Sequence, residues 1–333
     1  MKKRLFGSTI LAGFMILALC FCAQAQDKTF NIKLSLHIPP TIEMGSYAAS
    51  LYFKTQVEQL SAGRLKVQIF PSNQLGSERE SLEGLKLGTH QMDFTSSGAV
   101  PSFFPEVQCL AIPYLFPDKA VAWKVFDGPF GKELAEAMAK KTGMRILGIG
   151  ENGIRHFVLK NKQVKSPADL KGLKIRTMEN KVHLAAWKAA GLNPTPMAWG
   201  EVFTALQQKV IDGQENPIAV FYSSKLWDAG QKFFSLTGHV YSPSPFLMSP
   251  KAFNALPKAD QEICVKTALE VAKFQRKINR DGEEAKLQDM AKKGVTVTRD
   301  VDKESFKKAM APVYGEFSAQ FSKAEIEAVM NAK

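Results

Sequence analysis

Cysteine is scarce in this 333-residue chain: there are four, and Cys20 and Cys22 fall within the first 25 residues. The other two, Cys109 and Cys264, stand far apart. That excludes a disulfide framework and the paired spacing of a zinc or dithiol site, and two buried thiols are expected. Histidine is nearly as rare, at positions 37, 90, 156, 183 and 239. None lies three or four residues from another, so no helical metal pair is available. Also missing are the G-x-S-x-G elbow, the H-E-x-x-H motif, the P-loop and the G-x-G-x-x-G fingerprint. Catalysis by groups gathered from distant positions stays open, as in an exported enzyme acting on an acidic substrate, but no motif speaks for it. After residue 25 no apolar run is long enough to span a bilayer.

What is present is a globular composition, 45% hydrophobic and 23% charged, with a net charge of +12. That balance suits nucleic acid, a membrane surface or an anionic ligand. The N-terminus narrows the choice. Lys2, Lys3 and Arg4 precede an apolar stretch from Leu5 to Cys22, and Ala23-Gln24-Ala25 follows as a small-x-small cleavage site. These parts in this order make residues 1–25 a secretory signal peptide. An uncleaved anchor is the alternative. A lipoprotein fits less well, because Cys20 follows Leu19 and Cys22 follows Phe21 rather than a small residue. Export places the mature protein in the periplasm and argues against a nucleic-acid partner.

Along the mature chain, alternation from Asn31 to His37 and from Arg64 to Phe70 predicts strands. Between them Ala49, Phe53, Val57 and Leu60 share one face of a helix ended by Gly63. Ser77-Glu78-Arg79-Glu80 is a capping box that opens a helix ending near Gly88, and Met92 to Thr95 is a short strand. This β-α-β-α-β order predicts a wound α/β sheet. Two helices are expected between Pro117 and Lys141, then strands at 144–149 and 154–159. A second α/β unit follows, with strands at 173–176 and 210–214 and helices at 182–190 and 199–209. Pro257 to Lys293 is the longest helical pattern, either one rod or two helices broken at Gly282.

Three segments carry candidate chemistry. Gly172 to Thr177 ends a short strand in Arg176, and ligands of open α/β sheets bind at the carboxyl ends of strands. A guanidinium there can hold a carboxylate through two parallel hydrogen bonds; a structural ion pair is the plain alternative. Asp212-Gly213-Gln214-Glu215-Asn216-Pro217 ends another strand in polar groups, with Asn216 able to donate and accept, or forms only a polar turn. Glu151 to Arg155 lies at the join of the two units, where Arg155 either faces a cleft or is a solvated surface residue.

Taken together, Gly76 to Glu80, Gly153-Ile154-Arg155, Gly172 to Arg176, and Ala205 to Gln208 running into Asp212 to Pro217 resemble the extracytoplasmic solute-binding subunit of a TRAP transporter, the DctP type. The likeness runs from Phe30 to about Ala328. It implies an α/β, two-domain periplasmic-binding-protein-like fold, with a ligand cleft between the domains and a long helix bracing both. Residues 26–153 with 242–281 would form one domain, and 154–241 with 282–333 the other. It implies a small organic acid as ligand, with Arg176 salt-bridging its carboxylate, Asn216 bonding the same group and Arg155 as a second cleft arginine. Trp199 would stand against the ligand as the aromatic wall, and His37, Glu78 and Ser96 would tune specificity. It further implies the small and large TRAP membrane subunits as partners, no cofactor and a monomer. Three departures matter. Lys209 stands where glycine is common, Ser96 argues against a sialic-acid ligand, and Trp199 is larger than the usual phenylalanine. An ABC-type solute-binding protein and an exported ligand sensor for an organic acid remain the alternatives.

Overall fold

The computed structural model describes residues 29–318. The expected signal peptide and residues 319–333 lie outside the described residues. The strands are β1 (Phe30–Leu36), β2 (Leu65–Phe70), β3 (Met92–Phe94), β4 (Arg145–Leu159), β5 (Lys174–Thr177), β6 (Asn193–Pro196), β7 (Gly213–Pro217), β8 (Phe233–Met248) and β9 (Thr296–Thr298). The helices are α1 (Gly45–Leu60), α2 (Glu78–Leu87), α3 (Lys119–Asp127), α4 (Pro129–Thr142), α5 (Lys181–Ala189), α6 (Trp199–Gln207), α7 (Ile218–Ser223), α8 (Pro250–Ala255), α9 (Lys258–Asp281), α10 (Glu283–Lys292), α11 (Lys303–Met310) and α12 (Pro312–Ser318).

All nine strands join one sheet in the order β2-β1-β3-β8-β4-β7-β5-β6, with β9 beside β8. β1 pairs in parallel with β2 and β3, and β5 in parallel with β6 and β7. The two parallel groups are linked by β4 and β8, which run antiparallel to each other from Arg145↔Met248 to Leu159↔Phe233. The two strands expected at 144–149 and 154–159 are therefore one. The intervening Glu-Asn-Gly is a register shift between Glu151 and Gly153 rather than a break. Gly153 takes φ +124, a conformation that side chains resist.

The crossing is tied down from one side by α9. Gly148 lets that helix approach, because a Cβ there would come within 2.7 Å of the Ala268 carbonyl. Pro243, opposite Glu151 in β8, has no N–H to give. The Glu151 carbonyl instead accepts from Gln275 Nε2 at 2.6 Å and Asn279 Nδ2 at 3.2 Å, while its N–H donates to Gln275 Oε1 at 2.8 Å. The polar backbone of a buried crossing is thus satisfied by helix side chains. The brace is divided, as the second of the two sequence readings has it: α9 ends at Asp281, Gly282 caps it, and α10 begins at Glu283. α9 packs on α1 and β4, and α10 on α7 and β9.

One apolar cluster fills the space between β1–β3, α1 and α9, with Leu34, Phe53 and Phe246 at its centre. A second gathers Val202, Leu206, Phe221, Phe234 and Met290 around α6, α7 and α10. Cys109 and Cys264 lie in separate clusters. Burial pushes the Cys264 thiol up to about 12. Ala49, Phe53 and Val57 are buried as their spacing predicts, but Leu60 is 57% exposed at the end of α1.

The end of α6 explains one departure noted in the sequence. Val210 N–H donates to the Ala205 carbonyl at 2.9 Å and Lys209 N–H to Leu206 at 3.2 Å, the pattern of a Schellman cap. Lys209 occupies the left-handed position at φ +59, where glycine is favoured. Lys209→Gly should therefore leave the fold unchanged and stabilise it by about 0.5–1 kcal/mol, with relief of backbone strain outweighing the added freedom of the unfolded chain. Chemical denaturation of the two proteins checks this; a clear loss of stability would contradict it.

Candidate functional site

The carboxyl ends of β1, β3, β5 and β7 and the bulge of β4 open on one cleft. Its walls include all seven residues singled out from the sequence: His37, Glu78, Ser96, Arg155, Arg176, Trp199 and Asn216. The cavity between them is small, about 40 Å³, as the walls stand in this structure. A larger groove of about 730 Å³ beside α10 and α11, lined by Phe116, Leu287 and Lys303, contains none of the seven.

Arg176, near the end of β5, is 2% exposed. Its Nε and Nη2 donate to the Met197 carbonyl at 3.0 and 2.8 Å, and its guanidinium lies 5.6 Å from the Trp199 ring centre. Among the described residues no carboxylate lies within ion-pairing distance of it. Burial, then repulsion from Arg155, brings its pKa down to about 10. The structural ion pair allowed by the sequence is therefore not what Arg176 makes.

Arg155, on β4, is fully buried and differently placed. Its Nε meets Glu215 Oε2 at 2.5 Å, and its Nη2 donates to Glu215 Oε1 at 2.9 Å and to Asn216 Oδ1 at 3.3 Å. Only Nη1 is left without a partner, although it is buried. Burial alone would raise the Glu215 carboxyl; Arg155 and His239, 3.2 Å away, overcome that and hold it well below the usual carboxylate range. The antiparallel register His156↔Asn216 brings Arg155 and Asn216 together, and Asn216 Nδ2 donates to Gln214 Oε1 at 2.5 Å.

The opposite wall comes from β1, β3 and α2. The Ser77 capping box starts α2 and sets Glu78 as its first residue. Glu78 Oε1 accepts from Ser96 Oγ at 2.6 Å, Ser96 N at 3.2 Å and Thr95 Oγ1 at 3.4 Å. His37 faces the cleft, but both ring nitrogens are committed, Nδ1 to Asn73 Oδ1 at 2.9 Å and Nε2 to Asp93 Oδ1 at 3.1 Å. Burial would lower its pKa; the Asp93 carboxylate more than offsets this and carries it to about 9. His37 is thus an imidazolium at neutral pH, with its donors already used.

Sequence reasoning missed Asn152, Met178, Ser46 and Ser244, which also line the cleft. Asn152 sits in the β4 bulge and Ser244 on β8, neither of which was anticipated; Met178 follows Thr177 at the end of β5. Across the mouth, Ile38 and Met44 pack on Ala219 and Val220, and Ser96 Oγ lies 3.8 Å from Met178 Sδ. These contacts join the two walls.

Comparison with known proteins agrees with this geometry. The family profile described as bacterial extracellular solute-binding protein, family 7 (DctP) matches residues 38–320. A solute-binding protein of Verminephrobacter eiseniae is 49% identical over 282 residues, 84% of this chain and 83% of its own. The 2,3-diketo-L-gulonate-binding periplasmic protein of Escherichia coli is 36% identical over 264 residues, 79% of this chain and 80% of its own. Among solved structures, a TRAP periplasmic solute-binding protein from Polaromonas bound to D-erythronate has a TM-score of 0.88 at 41% identity, covering 92% of this chain and 99% of that one. A sugar-acid-binding protein from Advenella mimigardefordensis in complex with galactonate has a TM-score of 0.87 at 32% identity, covering 92% and 98%. On a family profile and relatives that each span well over two thirds of it, the chain belongs to the DctP family, the periplasmic solute-binding proteins of TRAP transporters.

Proposed function

We propose that this protein captures a small organic acid anion, holds it by cleft closure and delivers it to the small and large membrane subunits of its transporter, without catalysis or a cofactor. The observation that carries this reading is Arg176: a guanidinium 2% exposed, aimed into a cleft, with no carboxylate paired to it among the described residues. Burying a cation costs several kcal/mol, and a ligand carboxylate supplies what the protein does not. Nη1 of Arg155 and the amide of Asn216 join it from the neighbouring strands, and Trp199 closes the side. Glu78, Ser96 and His37 form the facing wall. The ligands named for the relatives, D-erythronate and galactonate, are carboxylates of this kind.

The signal peptide read at 1–25 would bring the chain to the periplasm. Among the described residues no helix is long and apolar enough to cross a membrane. For closure, we take residues 26–153 with 242–281 as one lobe and 154–241 with 282–333 as the other. The bulge at Glu151–Gly153 and the break at Gly282 support that division. A ligand that touches both lobes favours the closed state by its extra contacts there.

Arg176→Ala should lower affinity for the acid at least 100-fold, roughly the worth of a forked charge-assisted pair. Arg176→Lys should lose about tenfold, because an ammonium cannot make the fork. Both variants should melt within a few degrees of the unliganded wild type, since the residue they replace is an uncompensated buried charge. Calorimetric titration with thermal melts tests this: unchanged affinity, or loss of fold with loss of binding, would refute the anchor. A second expectation concerns pH. The folded His37 pKa of about 9 lies above its ordinary 6.5. Its pairing therefore stabilises the fold fully below 6.5 and is lost as pH rises through 9. The unliganded melting temperature should fall across that window in the wild type and fall less in His37→Gln; equal slopes would remove His37 as the cause.

A further inference from the structure

The charge of this chain is unevenly spread. Residues 29–153 hold twelve basic and twelve acidic residues, whereas residues 154–241 hold twelve basic against six acidic. Both arginines of the second stretch, Arg155 and Arg176, line the cleft, so its exposed positive charge is carried by lysine alone. The strand register places those lysines. Leu159, the last residue of β4, pairs with Gly213 and Phe233, and Gly213 pairs with Ile175. β4 therefore ends where β5, β7 and β8 begin, at the edge of the sheet away from the cleft. Lys160 and Lys162 follow β4, Lys171 and Lys174 stand at the start of β5, Lys209 closes α6 just before β7, and Lys232 precedes β8. Among the described residues none of these six forms an ion pair; their neighbour Lys165 does, with Asp300 at 3.4 Å. Two acids at the same edge are held against backbone amides. Asp212 Oδ2 accepts from Lys174 N at 2.8 Å, and Asp169 Oδ2 from Lys165 N and Ser166 N at 2.8 and 2.9 Å.

A recess of about 450 Å³ opens among them, lined by Lys160, Lys162 and Lys209 together with the apolar Leu173, Leu206 and Ile211. Val210, next to Lys209, is 50% exposed. We infer that this lysine pole is a docking surface for an anionic phospholipid bilayer, with the recess receiving a lipid headgroup. Lysine stems lie along apolar surface while their ammonium groups reach outward, as they do around this recess. Point charges on flexible stems suit a diffuse negative surface. A protein partner offering carboxylates would be matched better by forked guanidinium groups, and the pole has none. Lysines without ion pairs give up no partner on docking, and each one brought to an anionic surface adds to the attraction. The pole is remote from the cleft, so docking leaves acid capture untouched while holding the protein at a membrane. The inference goes beyond the capture reading and is independent of which acid is bound.

Flotation with lipid vesicles tests it. At low salt the wild type should float with vesicles of equal parts phosphatidylglycerol and phosphatidylcholine, and stay in solution with phosphatidylcholine alone. Salt of about 1 M, where charges are screened beyond about 3 Å, should release it. The combined variant Lys162→Gln, Lys171→Gln, Lys174→Gln and Lys209→Gln should lose at least about 100-fold in partitioning, since each lysine contributes about fivefold. A control that removes the same charge from the other half of the molecule, Lys66→Gln, Lys86→Gln, Lys132→Gln and Lys140→Gln, should lose less than about tenfold. Both variants should melt with the wild type, because all eight side chains are exposed. An equal loss in the two variants would mean that net charge alone drives binding, and would overturn the pole. A wild type that stays in solution with the anionic vesicles would also overturn it and turn attention to an acidic protein surface as the partner.

Discussion

A buried guanidinium with no carboxylate in ion-pairing distance among the described residues is the constraint on which the rest of this structure depends. Arg176 is as buried as the aliphatic core, yet its only hydrogen bonds among the described residues go to one carbonyl. Desolvation of such a charge is not repaid by a peptide oxygen. The surroundings keep the group in place without a direct ion pair: the β5–β7 register sets Arg176 beside Gln214, Trp199 covers one side of it, and Glu215, Glu78 and Glu179 attract it from farther off. A protein built for its own stability would place a carboxylate there. This one does so a short distance away, at Arg155, where Glu215 and His239 complete a network that leaves only Nη1 unpartnered. The two arginines are alike in burial and opposite in what they leave open.

The crossing strands turn that local imbalance into a mechanism. Among the described residues the sheet passes from one wall of the cleft to the other through β4 and β8. Their pairing steps at Glu151–Gly153, next to Asn152, which itself lines the cleft. α9 grips the crossing through Gln275 and Asn279 and stops at Gly282, so the brace ends close to where the strands step. Rigid sheets on either side of a locally irregular crossing favour motion there rather than within the sheets. The apolar contact of Ile38 and Met44 with Ala219 and Val220 joins the walls across the mouth.

Much of the site was legible because its residues stand at strand ends inside short, distinctive segments, and all seven line one cleft. The parts that were not legible have physical reasons. β8 is sixteen residues long and carries Ser242, Pro243, Ser244 and Pro245 in its centre, a pattern that denotes a loop. The prolines are tolerated because helix side chains take up the backbone groups of the partner strand. β6 is the tetrapeptide Asn193–Pro196, an edge strand in which two prolines cost no ladder bonds on the open side. β7 lies three residues beyond its expected position because Val210, apolar and strand-like, is spent on the Schellman cap and stays 50% exposed. The Arg155–Glu215 pair links positions sixty apart that only the β4–β7 register unites. The split of the helical brace was one of two equal readings, since a glycine inside a helical pattern marks a break no more reliably than a kink.

The central claim is that the empty half of the Arg176 guanidinium receives a ligand carboxylate. A crystal structure of the protein with its tightest-binding acid tests this most directly. The account predicts the acid's carboxylate forked on Arg176, with Arg155 Nη1 and Asn216 as its further partners and the Arg155–Glu215 pair intact. A bound acid whose carboxylate sits elsewhere, with Arg176 paired instead to Glu78 or Glu179, would contradict it.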